Sequence, residues 1–290
     1  MITIRLNGGL SNQMFQYAAA RALAQRYDGR VRLDRHWFSE VAARDTKRHF
    51  ELDCFAFPKV FQSENPFIKL TRLSPQTERA YQKLLGGRAY IEPDHNFHAS
   101  FFDLPDHSLI IGFYQSEKYF LSEQSIIRKD FEWANQPTGK NKTLLERIQK
   151  DVGSVSLHIR RGDYVTNAHA HAWHGVLDLA YYEKAMREMS KYVKQPTFYV
   201  FSNDPEWCKQ NIKTRHKVVF VDHNDDQKNG HEDMRLMKNC RHNITANSSM
   251  SWWGAWLNQN PEKRIIAPKR WFVDPSMSTR DLIPKSWVQL

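Results

Sequence analysis

Cysteine is scarce: Cys54, Cys208 and Cys240 are the only three in 290 residues, and no C-x-x-C pair occurs. An odd count without paired spacing argues against a disulfide framework and a cysteine metal site, and fits a reducing compartment. No segment approaches the ~18 uninterrupted apolar residues of a membrane span. The opening MITIRLNGGLSNQ has no apolar core behind a basic start, so it does not read as a secretory signal. The expectation is therefore a soluble, cytoplasmic protein. No run of five or more basic residues is present, which excludes a polybasic arm. Two phosphate-binding signatures are also missing. There is no G-x-x-x-x-G-K-[ST], and GGLSNQ is not G-x-G-x-x-G, so neither a Walker loop nor a dinucleotide fingerprint is available.

What is there is apolar, aromatic and basic. Hydrophobic residues make up 41% and aromatics 13%, with nine tryptophans, which marks a globular chain and not a disordered one. Its length fits one large or two medium domains of ~100 to 200 residues. Lys and Arg total 42 against 32 Asp and Glu, a formal charge of +10. Spread along the chain, that excess favours a phosphorylated small molecule or an anionic membrane surface. Asn141, Asn243 and Asn247 head N-x-[ST] sequons, which matter only in a secreted protein.

The pattern opens as a βαβ unit. ITIRL alternates as a strand, GG breaks it, SNQMFQYAAARALAQRY runs at helical spacing with Ser11 or Asn12 as N-cap, and VRLD follows. Residues 35–108 read poorly, with a helix expected over PQTERAYQKLL; SLIIGFYQS restores a strand and SEQSIIRKDF a helix. The stretch ANQPTGKNKT reads as a linker. Beyond it SVSLHI, TFYVFS, KVVFVD, NITA and RIIA alternate with four helical segments. Strict alternation predicts an α/β fold with a parallel sheet covered on both faces. Ligands of such sheets bind outside the carboxyl ends of the strands. Four polar clusters fall there: His158 to Asp163, Ser202 to Asp204, Asp222, and Asn247 to Ser249.

An arginine fork grips phosphate bidentately and never deprotonates, so Arg160 or Arg161 suits a pyrophosphate. The NSS turn opens a helix whose unpaired N–H groups favour an anion, and Ser248 and Ser249 add hydroxyls. A surface salt bridge and an ordinary N-cap are the plainer readings of these two motifs. Asp225 and Asp226 could hold a metal but look like a solvated turn. His169, His171 and His174 have no spacing of a closed zinc site. Trp252, Trp253 and Trp256 sit at helical spacing, where core is the usual role, although an indole can also meet a sugar ring.

LNGGLSNQMFQYAAARALA, GFYQSEKYF, HIRRGDY, FYVFSNDPEWCKQN and EDMRLMKNCRHNITANSSMSWWGAWLN together resemble the bacterial α-1,2-fucosyltransferases of glycosyltransferase family 11. The blocks run in order from residue 6 to 258. The resemblance implies a GT-B-like fold, two Rossmann-like parallel-sheet domains facing a cleft. Residues 1–140 would form an acceptor-side domain. Residues 141–290 would form the GDP-fucose-binding domain, with a C-terminal tail able to pack back on the first. It further implies inverting transfer of L-fucose from GDP-β-L-fucose to the 2-hydroxyl of a terminal β-galactose, with no metal and no other cofactor. On this likeness Arg160 stabilises the departing diphosphate and His158 lies near the guanine. Ser248 and Ser249 meet the phosphates, and Gly9, Asn12 and Gln13 approach the donor from the other domain.

Arg161, Asp204 and Asp233 complete the expected donor set; Tyr164, His174, Trp252 and Trp253 are the expected acceptor contacts. Asp163 is the candidate base, with His174 or Asp233 as substitutes. Where many relatives read Ser-Asp-Asp this chain has SND, which leaves Asp204 as the carboxylate. Expected partners are GDP-fucose and a β-galactoside of lactose, N-acetyllactosamine or lacto-N-biose type, or an O-antigen repeat. Peripheral contact with the anionic cytoplasmic face of the inner membrane is a further expectation. Two alternatives stay open: the same fold making an α-1,3 linkage, and a basic nucleic-acid-binding protein.

Overall fold

A computed structural model describes residues 1–39, 48–57, 61–62, 89–167, 171–173, 175–225 and 228–290, the side chains of His36, Ser39, Phe61, Gln62, Asp163 and Thr166 excepted. The helix expected over 75–85, together with His169, His174 and Asp226, lies outside the described residues. The chain divides into two compact units, Met1–Asn135 with Ser278–Pro284, and Gln136–Met277 with Lys285–Leu290.

In the first unit β1 (Ile2–Arg5), β2 (Val31–Asp34), β3 (Phe61–Gln62), β4 (Ala89–Ile91) and β5 (Leu109–Ile111) form one sheet in the order β3-β2-β1-β5-β4. Every pairing is parallel. The helix α1 (Leu10–Ala24) follows β1 and is almost wholly buried. It starts earlier than expected. Gly9 is its N-cap, and Ser11 and Asn12 lie in its first turn with no side-chain cap. The reason is Gly8, whose φ of +71° turns the chain at once; a Cβ there would stand 2.6 Å from Asn12 Nδ2. On α1, the Tyr17 hydroxyl donates to Asp130 Oδ2 at 2.8 Å and Arg21 Nε at 2.9 Å, which pins α2 (Gln124–Asp130) beside it.

The second unit carries β6 (Ser154–Ile159), β7 (Thr197–Ser202), β8 (Lys217–Val221), β9 (His242–Ile244), β10 (Ile265–Ala267) and β11 (Val288–Gln289). Their order is β11-β10-β9-β6-β7-β8, again all parallel. The linker expected at 134–143 is shorter than read, because α3 (Gly139–Lys150) begins inside it. Gly, Asn and Lys in its first turn hid a helix whose apolar side is only Leu144, Leu145 and Ile148. The other helices are α4 (Gly162–Thr166), α5 (Leu179–Tyr192), α6 (Pro205–Asn211), α7 (Gly230–Asn239) and α8 (Ser249–Leu257).

Strand alternation sends Val155, Leu157 and Ile159 to one face, against Tyr181, Ala185, Met186 and Met189 of α5 and Cys208 of α6. Tyr199, Phe201 and Val221 face the other way, against Ile148 of α3 and Leu236 and Met237 of α7. Both faces are therefore covered, as a parallel sheet requires.

Strand order locates the sites. In the second sheet the chain passes from β6 outward through β7 and β8, then returns to place β9 on the other side of β6. The order reverses between β6 and β9. In the first sheet it reverses between β1 and β5. Such reversals open a crevice at the carboxyl ends, because the flanking loops leave in opposite directions.

Candidate active site

The switch point of the second sheet is flanked by His158–Arg161 at the end of β6 and Asn247–Ser249 after β9. The turn after β6 is held from β7. Asn203 Oδ1 accepts the backbone N–H of both Arg161 and Gly162, each at 3.0 Å. A Cβ on Gly162 would fall 2.5 Å from Asn203 Nδ2, so only glycine permits this approach. The amide thus does work that needs an acceptor and no charge, which accounts for SND in place of a second aspartate.

The two arginines separate. Arg161 Nε donates to Asp204 Oδ2 at 3.3 Å, and its guanidinium lies 4.1 Å from the Trp207 ring centroid. Asp204 also caps α6 by accepting from Trp207 N at 3.2 Å. Arg161 and Asp204, both expected at the donor, are thus bonded to one another. Arg160 is half-buried, with its guanidinium 5.7 Å from the Tyr164 ring centroid. Tyr164 is itself buried, and its hydroxyl donates to Asn247 O at 3.3 Å. His158 is buried at the end of β6, on the face of its ladder partner Phe201. Asp163 lies in α4, and its side chain falls outside the described residues, as does all of His174.

Across the crevice, Ser248 is the N-cap of α8 and makes no side-chain cap bond. Ser251 Oγ instead accepts from Ala246 N and donates to Ser248 O. The ordinary capping role is therefore not the one Ser248 performs, and the positive end of the helix dipole points at the switch point. Asn247 is a buried brace: its Nδ2 donates to Trp271 O at 3.2 Å and Gly175 O at 3.4 Å. Asn141, Asn243 and Asn247, which head the three sequons, are all buried.

Asp222 and the paired tryptophans lie apart from the switch point. Asp222 ends the edge strand β8 and pairs with Lys209 at 2.8 Å, which holds its carboxyl below the usual carboxylate range. Three polar clusters meet at the switch point, and Asp222 stands apart from them. Trp252 and Trp253, expected at the acceptor, are 0% exposed. They form a knot with Trp256 and Trp287, with ring centroids 5.0 to 6.2 Å apart. Buried among one another, these aromatics anchor α8. Asp233, in α7, is buried and accepts from Asn224 Nδ2 at 2.6 Å. Asn224 in turn bonds to Asn141 and Asn229. Among the described residues no group of three or more His, Cys, Asp or Glu is gathered as metal ligands. His171 Nδ1 sits 2.8 Å from Tyr164 O.

The exposed indole near this edge is Trp173, 44% exposed, which the sequence reading passed over for the histidines around it. Its carbonyl accepts from Val273 N at 3.0 Å and its ring meets Phe272 edge-on at 6.1 Å. Val165 and Val273 are exposed as well.

In the first unit the switch point lies between the turns Asn7–Gly9 and Gly112–Gln115. Gln16, another residue not singled out from sequence, bridges them: its Nε2 donates to Asn7 Oδ1 at 3.0 Å and to Gly112 O at 3.1 Å, while its Oε1 accepts Asn7 N. Gln13 is fully buried. Its Nε2 donates to Gly8 O and His49 O, and its Oε1 accepts Glu51 N, so its amide ties a neighbouring segment to the turn. Asn12 Oδ1 accepts from Gln115 Nε2 at 2.9 Å, and Gly9 faces the Arg48 side chain, whose guanidinium would stand 3.6 Å from a Cβ there. Glu92, in the poorly read region, accepts Phe113 N at 2.7 Å and Tyr114 N at 3.0 Å. It thereby holds Tyr114 at a φ of 52°, and burial pushes its carboxyl up to about 7.

Two parallel-sheet α/β units of this kind make up the GT-B fold. Solved structures share the fold: the fucosyltransferase NodZ from Bradyrhizobium matches with a TM-score of 0.51 at 12% identity, over 87% of this chain and 91% of that one. A variant of Arabidopsis thaliana FUT1 in complex with GDP matches with a TM-score of 0.51 at 12% identity, over 99% of this chain and 75% of that one. The chain belongs to glycosyl transferase family 11, whose family model matches residues 90–290. It is 32% identical to the O-antigen biosynthesis glycosyltransferase WbnK of Escherichia coli, covering 98% of this chain and 99% of that protein. It is also 32% identical to an alpha-1,2-colitosyltransferase of Escherichia coli, over 100% and 99%. Human galactoside alpha-(1,2)-fucosyltransferase 1 is 26% identical over 88% of this chain and 65% of its own length. No helix among the described residues is long and apolar enough to cross a membrane.

Trp252→Ala is expected to lower the stability of the second unit by about 3–5 kcal/mol, the cost of emptying a buried aromatic site. Urea denaturation reads this directly. Unchanged stability with lost sugar transfer would return the indole to the acceptor site.

Proposed function

We propose that this glycosyltransferase moves L-fucose from GDP-β-L-fucose to the 2-hydroxyl of a terminal β-galactose, with inversion and without a metal. The observation that supports this reading is the placing of two elements suited to an anion at one switch point: the Arg160 turn after β6, and the start of α8, whose N-cap serine makes no cap bond. A diphosphate between them would meet a fixed cation and a helix dipole together. Leaving-group charge is the main obstacle to breaking the bond between fucose and GDP. Preorganised positive charge at that point is therefore the largest available catalytic contribution. Ser248 and Ser249 would add hydroxyl donors to the phosphates, while His158 and Asp233 would serve the guanine side. Arg161 and Asp204 would act through the turn they brace.

Residues 141–290 would bind the donor and residues 1–140 the acceptor side, with Gly9 and Asn12 approaching the donor and Gln13 holding their turn. Asp163 is the proposed base, removing the acceptor proton as its oxygen attacks the fucose carbon opposite GDP; His174 is the alternative. The O-antigen relative supports a bacterial surface glycan as the acceptor.

A second donor has specific support, because one full-length relative is a colitosyltransferase. Colitose is fucose without its 3-hydroxyl, so the two donors present the same diphosphate and differ at one sugar position. Incubation with GDP-fucose or GDP-colitose and a panel of β-galactosides, followed by linkage analysis, decides between them. An α-1,2-fucosylated product is expected. Transfer of colitose alone, or an α-1,3 product, overturns the donor or the linkage. Thermal stabilisation by an oligonucleotide and not by GDP would overturn the sugar-nucleotide reading as a whole.

Arg160→Ala should leave less than about a tenth of the wild-type turnover, a loss of at least about 1.4 kcal/mol of transition-state stabilisation. Retention of more than that removes Arg160 from the diphosphate.

Trp173, in place of the buried Trp252 and Trp253, is the proposed aromatic contact for the acceptor galactose, with Tyr164 beneath the site. Trp173→Ala is expected to raise the acceptor KM about fivefold and leave the GDP-fucose KM unchanged. Equal changes in both constants would refute a specific acceptor role.

A further inference from the structure

The amino ends of the second unit's strands, opposite the candidate site, carry an open groove of about 1080 Å³ that the sugar-transfer chemistry does not use. Arg147, Lys150, Lys194, Arg215 and Lys217 line it. They come from the last turn of α3, the segment after α5 and the start of β8, so the topology collects them at one end of the sheet. Two carboxylates also line the groove, Asp151 and Glu262. Asp151 is engaged inward: it accepts from the Tyr199 hydroxyl at 2.9 Å and from Gly153 N at 3.0 Å. Glu262 is left as the single carboxylate facing five cations. The positive field of this end is therefore largely uncompensated by the groove itself.

The same rim exposes apolar surface. Val152, at the turn between α3 and β6, is 77% exposed, and Tyr192, at the end of α5, is 53% exposed. An exposed valine at a turn tip beside a cluster of lysines and arginines has the chemistry of an interfacial contact: the apolar group enters the headgroup boundary while the ammonium groups meet lipid phosphates. Nucleic acid fits less well. The aromatic ring on this rim, Tyr192, already has the Arg264 guanidinium 5.0 Å from its centroid and His242 edge-on at 5.6 Å. A base has no free platform on which to stack.

We propose that this basic groove is a docking surface for an anionic phospholipid bilayer. The six residues of β6 span about 20 Å, so contact at their amino ends leaves the carboxyl edge of the sheet unobstructed. Docking and sugar transfer are separable on this account, and the proposal does not rest on the identity of the donor.

The test is sedimentation of the full chain with vesicles of phosphatidylglycerol and phosphatidylcholine, compared with phosphatidylcholine alone. The wild-type protein is expected to bind the anionic vesicles only, and to be released by high salt, which shortens the Debye length to a few ångströms. Lys150→Glu, Lys194→Glu and Lys217→Glu together should weaken binding about a hundredfold. Transfer to a soluble galactoside should be unchanged, which also reports that the variant folds. Val152→Ser, a single exposed and uncharged change, should weaken binding without altering net charge in the groove wall. Equal binding to neutral vesicles, no binding to anionic ones, full binding by the charge-reversed variant, or preference for an oligonucleotide over vesicles would each overturn the proposal.

Discussion

The carbonyl oxygen of the Asn203 side chain, accepting two consecutive backbone N–H groups, is the contact on which the candidate site depends. It joins the end of β7 to the turn leaving β6, and so fixes where the chain bends after Arg160. From that bend follow the short helix α4, the position of Tyr164 under Arg160, and the bond from Tyr164 to Asn247 across the switch point. Two backbone donors at the end of a buried strand would be costly to leave unpaired. Their partner is an uncharged amide, so the turn is held without placing a negative charge beside the cation that the reaction would use.

The same economy appears in the first unit with different residues. Gln16 spans the turns after β1 and β5, Gln13 anchors a third segment, and Glu92 caps the turn that holds Tyr114 in the left-handed region. In both units neutral amides do most of the bracing at the switch point. Charged groups that might compete for a phosphate are paired off to the side, as Arg161 is with Asp204 and Asp222 with Lys209. Between β6 and β9 lie the Arg160 turn and the start of α8.

Legibility from sequence followed burial. Strands such as SVSLHI and TFYVFS are apolar on both faces and bounded by polar turns, so period and composition agree on them. The start of the helix Gly139–Lys150 falls within the stretch 134–143 that reads as linker, because its first turn is made of turn-forming residues and its apolar side is narrow. Trp252 and Trp253 were ambiguous because adjacent tryptophans on a helix point in different directions. Only the packing of Trp287 and Trp256 around them decides that both turn inward. Gln16 and Glu92 carried no signal, since their partners lie 96 and about 21 residues away and nothing local announces them.

The sequence alone determined the α/β alternation, the absence of a Walker loop and a dinucleotide fingerprint, and the placement of polar clusters at strand ends, because each depends on neighbours a few residues apart. The tertiary structure decided strand order, and with it which of those clusters meet. It also decided that Arg161 pairs with Asp204 and which indole is exposed. Those choices are set by pairing between strands and by side-chain burial, whose partners are distant in the chain and whose free energies are comparable for several arrangements until the sheet is assembled.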